Sequence, residues 1–408
     1  MDNLLFLKSS AGHCLAPHTR VLRAAGFLRR RGSGAQAHSW HRAYRRVVLL
    51  LTGAFLLQET VYALRARNDM EKLSKVMFLL LCHVTSIAKQ IVFYVDADRI
   101  DEVLRNLDGE VTAPLLMGSS AGGAARLAQT AAASRRLLVG YAGCAVVVCH
   151  LWLALTLLAR AAGQPVEFSF WTGFDTHLRL PVRFVSCLLY SHYVITLVGI
   201  ANTTMDGFMA TILYLCKTQL EILREDLRTL PERARSAAAA GEQHEAMLLR
   251  EFVRCFRHYQ AVTEIATSFQ DIFGLAIFIQ VGVGSGILCM AAYKMASLSV
   301  VSAEFASMLL FIACILTELF LYCYYGNELK VESGLVASAA YSMRWVGLSA
   351  RARRLLLLLL LRAGRDLSPA AAGLVPLSLE TYVKVRYKTF VAVPTFRPIF
   401  LHRAIEVF

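Results

Sequence analysis

Residues Leu137–Ala159 read LLVGYAGCAVVVCHLWLALTLLA, with no charged side chain anywhere in the run. As a helix the stretch rises about 35 Å, enough to cross a hydrocarbon core of about 30 Å. Its apolar residues do not alternate with a period of two, so the segment reads as a helix and not as a barrel strand. Five more apolar runs flank it: Val47–Leu64, Val76–Val95, Phe184–Cys216, Phe273–Ala292 and Val300–Tyr325. The whole composition agrees. The 408 residues are 56% hydrophobic and 18% charged, against about 45–50% and 25% in ordinary soluble domains. That excludes a disordered chain and argues against a soluble enzyme of this length.

Hydropathy gives six spans and leaves the tail open. The leucine run Leu355–Leu361 reaches only about 10 Å as a helix. Ser378–Phe400 is moderately apolar but carries Glu380, Lys384, Arg386 and Lys388. The net charge of +14 is unevenly placed. The first 46 residues hold Lys8, Arg20, Arg23, Arg29, Arg30, Arg31, Arg42, Arg45 and Arg46 against Asp2 alone. Cytosolic segments collect Lys and Arg, so the N-terminus is expected inside, with 65–75, 163–182 and 293–299 outside. No secretory signal is expected at the start of the chain. The basic leader reads as an orientation signal. Nucleic acid is not an expected partner, because no aromatic-interleaved basic groove accompanies it. None of the ten cysteines falls in the expected outer loops, so no extracellular disulfide framework is expected.

The charges inside the spans are the informative exceptions. Lys89 is expected to stretch its stem to the cytosolic interface. Glu59 and Glu304 are expected to reach water at the outer ends. Asp206 and Glu318 are expected to pair with Arg or Lys of the cytosolic helices. His83 and His150 read as satisfied core histidines, since no metal-ligand spacing accompanies them; no metal and no cofactor is expected. Between spans four and five, Leu220, Leu223, Leu227 and Leu230 form one helical stripe. Pro231–Glu232 is expected to break it. Phe252, Cys255, Tyr259, Val262, Ala266, Phe269 and Phe273 form a second. Two such helices projecting from the membrane suit intramolecular packing or a subunit contact. The chain carries no P-loop, GxGxxG, GxSxG or H-x4-D pattern, so no enzymatic activity is expected.

The later part of the chain carries a more specific text. Glu318–Leu329 reads ELFLYCYYGNEL, followed by Glu332-Ser333, Ala340-Tyr341, Trp345, Pro369–Gly373 (PAAAG) and Leu377–Tyr382 (LSLETY). Upstream, Leu249–Gln260 reads LREFVRCFRHYQ. In these motifs, and in length, span count and orientation, the chain resembles the insect odorant receptor family. The resemblance implies an all-α polytopic membrane protein: seven transmembrane helices, a cytosolic N-terminus and a cytosolic helical anchor domain. The implied layout is a basic leader over 1–46, helices one to four over 47–216, a cytosolic extension over 217–272 and helices five and six over 273–325. The anchor with the first half of helix seven follows over 326–376, and the second half over 377–408.

The resemblance implies a function as well. Family members are odorant-gated cation channels in the plasma membrane of olfactory neurons, built as tetramers of a tuning subunit with a shared coreceptor. This chain lacks the coreceptor's longer insert and resembles a tuning subunit. Implied subunit-contact residues are Tyr322, Tyr325, Asn327, Glu328, Tyr341 and Trp345. The implied pore segment includes Ser378, Leu379, Thr381, Tyr382 and Val385. A small volatile odorant should sit in an apolar pocket in the outer halves of the helices, where Met77, Phe78, His150, Trp152, Tyr190, Tyr193, Phe305 and Met308 are the aromatic and soft candidates.

The end of the chain departs from the family pattern. Arg386 and Lys388 would repel cations from a narrow pore, and Pro394 and Pro398 would interrupt a pore helix. Lys384-Val385-Arg386 can be encoded AAG-GTA-AGA, which resembles a splice donor, so the residues after about Lys384 are expected to be translated intron. Among rival readings, a G-protein-coupled receptor is opposed by the basic leader and by the missing DRY-like and NPxxY elements. A gustatory receptor is opposed by the missing TYxxxxxQF element. A secondary transporter is opposed by the lack of matched broken helices.

Overall fold

A computed structural model describes residues 10–29, 35–108, 122–164, 166, 168–172, 181–239, 244–296, 302–343 and 348–387. The helices are α1 Ser10–Ala24, α2 Ala35–Arg65, α3 Met70–Val95, α4 Ala97–Asp108, α5 Gly123–Ala161, α6 Pro181–Ala239, α7 His244–Ala296, α8 Ala303–Tyr341 and α9 Ala350–Ala363. A two-stranded antiparallel ribbon follows, β1 Ala370–Ala371 and β2 Val375–Pro376, pairing Ala370 with Pro376. A last helix, α10, covers 379–387.

Among the described residues five helices are long and apolar enough to cross a membrane. They are six if α3 and α4, bent by 70° at their junction, count as one. The described part of each apolar run lies in one helix, apart from Ser302 at the start of α8, and most helices continue well past their apolar part. The longest, α6, is 59 residues and packs against α5, α7 and α8. The expected break at Pro231 does not occur: the helix runs through it to Ala239. The reason is tertiary. The leucine stripe of α6 and the aromatic stripe of α7 bury each other completely. Over them Asp226, itself fully buried, takes an ion pair from Arg254 Nη2 at 2.6 Å, while Glu251 accepts from Arg233 at 3.2 Å. That packing holds a helix which propensity alone would end.

Part of the leader packs into the bundle. Cys14, Leu15 and Leu22 of α1, with Phe27 and Leu28 beyond it, are buried against α5 and α6. Gly207 of α6 permits the approach, since a Cβ there would lie 2.8 Å from His18 Nε2. The centre of the bundle is an aromatic knot of Phe93, Phe208 and Phe273 from α3, α6 and α7, with ring centroids 5.4 to 6.3 Å apart.

The ribbon reverses the chain between α9 and α10. Its turn places Ala372 at φ 50° and Gly373 at φ 70°. The Ala372 N–H donates to Gly274 O of α7 at 2.9 Å, and the missing Cβ of Gly274 allows that contact. Ser378 then caps α10 by accepting from Thr381 N at 3.2 Å. All ten cysteines are free thiols.

Candidate functional site

At one end of the bundle, the C-terminal parts of α2 and α5 meet the N-terminal parts of α3 and α6 around a cavity of about 140 Å³. α2 supplies Phe55 and Glu59, one helical turn apart, and α3 supplies Leu79. Cys149, Trp152, Leu153 and Thr156 come from α5, and Leu188, Ser191, His192 and Ile195 from α6. The spacings follow the helical period, so a single face of each helix turns inward. The connection after α5 closes the top with Val166, Phe168, Ser169 and Phe170. This cover is pinned. Trp171 N donates to Gln58 O at 3.1 Å, the Arg65 guanidinium stacks over the Trp171 ring at 5.0 Å, and Phe170 packs on Phe55 and Tyr190.

The sequence candidates divide around this cavity. Trp152 lines it and donates its indole N–H to Ser307 of α8. Tyr190 stands behind the lining, donating to Gln58 Oε1 at 3.0 Å and meeting Phe55 edge-on. His150 lies outside the lining, its ring against that of His192 at 5.0 Å. Met308 is buried in a neighbouring cluster with Ile287, Leu288 and Ala291 of α7. Met77 and Phe305 are half-buried and are not among the lining residues. Tyr193 is 55% exposed on the outside of the bundle. The Phe78 side chain lies outside the described residues. Sequence reasoning missed Phe55, Glu59 and the 166–170 cover. The Phe55–Glu59 spacing and the carboxylate within a span were the available signals.

The buried charges depart from expectation. Lys89 does not stretch to the interface. It is 1% exposed and its Nζ bridges Asp206 Oδ1 and Glu318 Oε1, each at 2.6 Å. Asp206 also accepts from the Tyr322 hydroxyl and from Asn202 Nδ2 at 3.2 Å. Three helices thus pair their ionisable groups inside the bundle, which explains why Asp206 and Glu318 do not seek cytosolic cations. Glu59 does not reach water either: it is 1% exposed, and Oε2 meets His83 Nδ1 at 2.6 Å. The Glu304 side chain lies outside the described residues.

Tyr322 is completely buried within the chain, so its side chain serves this intramolecular cluster and not a subunit face. Tyr325 stacks on Tyr214 at 4.9 Å. Asn327 is half-buried, Glu328 approaches Lys217 at 3.9 Å and Tyr341 is 69% exposed. Trp345 lies outside the described residues. Of the implied pore residues, Ser378 caps α10 and Thr381 Oγ1 donates to Pro376 O at 2.8 Å. Tyr382 meets Phe320 of α8 at 5.5 Å, and Leu379 and Val385 are half-buried. Among the described residues no group of three His, Cys, Asp or Glu is placed to hold a metal.

Long apolar helices and ionisable groups paired inside the bundle define a polytopic membrane protein, with an aromatic-lined cavity at one end. The chain belongs to the 7tm odorant receptor family, whose profile matches residues 69–388. It is 25% identical to Odorant receptor 85a of Drosophila melanogaster over 194 residues, 47% of each chain. It is also 25% identical to the odorant receptor coreceptor of Harpegnathos saltator, over 35% of this chain and 30% of that one. The match spans about half the length or less of these curated relatives. The fold is that of the olfactory receptor OR5 from Machilis hrabei, at a TM-score of 0.80 and 14% identity over 94% of this chain and 97% of that one. That receptor has also been solved in complex with eugenol. The family consists of receptors and not enzymes.

Proposed function

We propose that this chain is the odorant-binding, tuning subunit of an odorant-gated, non-selective cation channel. In this reading it assembles with a coreceptor subunit, as a tetramer, in the plasma membrane of olfactory sensory neurons. The N-terminus is cytosolic, and the cavity among α2, α3, α5 and α6 then opens toward the outer side. The single observation that carries the reading is this cavity: aromatic, covered and of a volume suited to a small volatile, in a chain of the odorant receptor family. Residues 217–272, 322–341 and the Leu355–Leu361 helix form the cytosolic anchor, and the segment from Ser378 to about Lys384 contributes the pore. Tyr341 and the exposed leucines Leu357, Leu358 and Leu361 suit a subunit face. Odorant binding opens the pore by preferring the open arrangement, and each 1.4 kcal/mol or so of preference shifts the equilibrium about tenfold. The test is current across an odour panel in cells expressing the chain with and without the coreceptor. Odour-evoked cation current only when both are present supports the reading; a response from this chain alone through a second messenger refutes it.

A further inference from the structure

Among the polar groups that line the cavity, Glu59 has a position that narrows the chemistry of its ligand. Glu59 is 1% exposed. Its Oε2 is occupied by His83, whereas Oε1 has no hydrogen-bond partner among the described residues, and the side chain lines the cavity. The Thr156 and Ser191 hydroxyls do not answer it. Thr156 Oγ1 donates to Trp152 O at 2.8 Å and Ser191 Oγ to Leu188 O at 3.1 Å, each within its own helix. The Trp152 indole N–H is directed to Ser307. A carboxylate oxygen facing the cavity gains more from a hydrogen-bond donor than a neutral acceptor does. The cavity therefore asks for a donor from whatever fills it.

Size and charge narrow the class further. An apolar cavity of about 150 Å³ holds a benzene-sized molecule, and this one is about 140 Å³. An ammonium group would offer a donor too, but carrying a full charge out of water into walls of Phe55, Phe170, Leu153 and Ile195 is far more costly than carrying a hydroxyl. We propose that the cavity takes a one-ring or short-chain volatile bearing a hydroxyl group, whose O–H donates to Glu59 Oε1 while its hydrocarbon part lies against Phe55, Phe170 and Trp152. The inference rests on the reading of this cavity as the odorant site.

The test uses isomeric pairs in which only the hydroxyl member carries a donor: benzyl alcohol against anisole, 3-ethylphenol against 3-methylanisole, and 1-hexanol against methyl pentyl ether, with benzylamine added. Dose–response currents are recorded from the full chain with its coreceptor. The hydroxyl member should act at a concentration about ten- to a hundredfold lower than its ether. In Glu59→Gln the amide oxygen can keep the His83 contact and turn its NH2 toward the cavity, so the preference should fall to parity or invert. Equal potency within the wild-type pairs overturns the proposal, and needs no variant to fold. Silence from every hydroxyl compound, or benzylamine acting more strongly than benzyl alcohol, also overturns it. Leu153→Trp, which fills the cavity, separates the two levels. If it abolishes responses while the wild-type pairs are equipotent, only the donor inference fails. If responses survive it unchanged, the cavity is not the odorant site.

Discussion

Lys89 bridges two acidic side chains with one ammonium, and it does so where water cannot help. Removing a single partner from such a buried set leaves an uncompensated charge, at a cost of about 3–5 kcal/mol. Lys89→Met should therefore sharply lower the yield and melting temperature of the full chain in detergent. The triple variant Lys89→Met, Asp206→Asn, Glu318→Gln, which removes the charges together, should recover most of the loss. A single variant as stable as wild type would contradict the buried bridge. His18 behaves differently because it lies outside the membrane-spanning segments. Burial without a charged partner pushes its pKa down to about 4, so it folds neutral against Ser134 and Gly207. Between the unfolded pKa of about 6.5 and that value the unfolded chain binds the extra proton. The docking of α1 should thus be fully stable above pH 6.5 and weaken as pH falls toward 4. His18→Gln should flatten this dependence, as measured by proteolytic release of the leader against pH. The charges were visible in the sequence but their partners were not: they lie more than 100 residues apart, and nothing local records which helix faces which.

The positions of the elements were more legible than their ends. Each apolar run coincides with a helix in its described part, Ser302 aside, because twenty apolar residues have few other destinations. The continuation of α6 through Pro231 was not legible, since the packing that supports it comes from α7. The approach of α8 to the chain before α10 was equally hidden. A Cβ at Gly326 would lie 2.6 Å from Leu377 O, so even Ala must displace this segment, at about 1–3 kcal/mol. In the proposed channel that strain falls between the anchor and the pore helix. Gly326→Ala should depress odour-evoked current several-fold more than surface expression, read by surface biotinylation alongside whole-cell recording. Equal falls in both would indicate a folding defect alone.

At the scale of the whole molecule the fold class was carried by hydropathy and the family by the ELFLYCYYGNEL and LSLETY texts. The cavity was only partly legible: Trp152 lies in its wall, while its cover comes from a loop with no periodic signal. The tail remains a matter for the transcript. A cDNA that leaves the present reading frame after Lys384 is expected, and one encoding 386–408 as written would sink the intron account. The central claim is that a small molecule held in the cavity among α2, α3, α5 and α6 opens a cation path shared with a coreceptor. Its most direct test is the odour dose–response of the co-expressed pair, comparing wild type with Leu153→Trp at matched surface density. The account predicts that the filled cavity shifts the response by tenfold or more, about 1.4 kcal/mol, or removes it; an unchanged dose–response would contradict it.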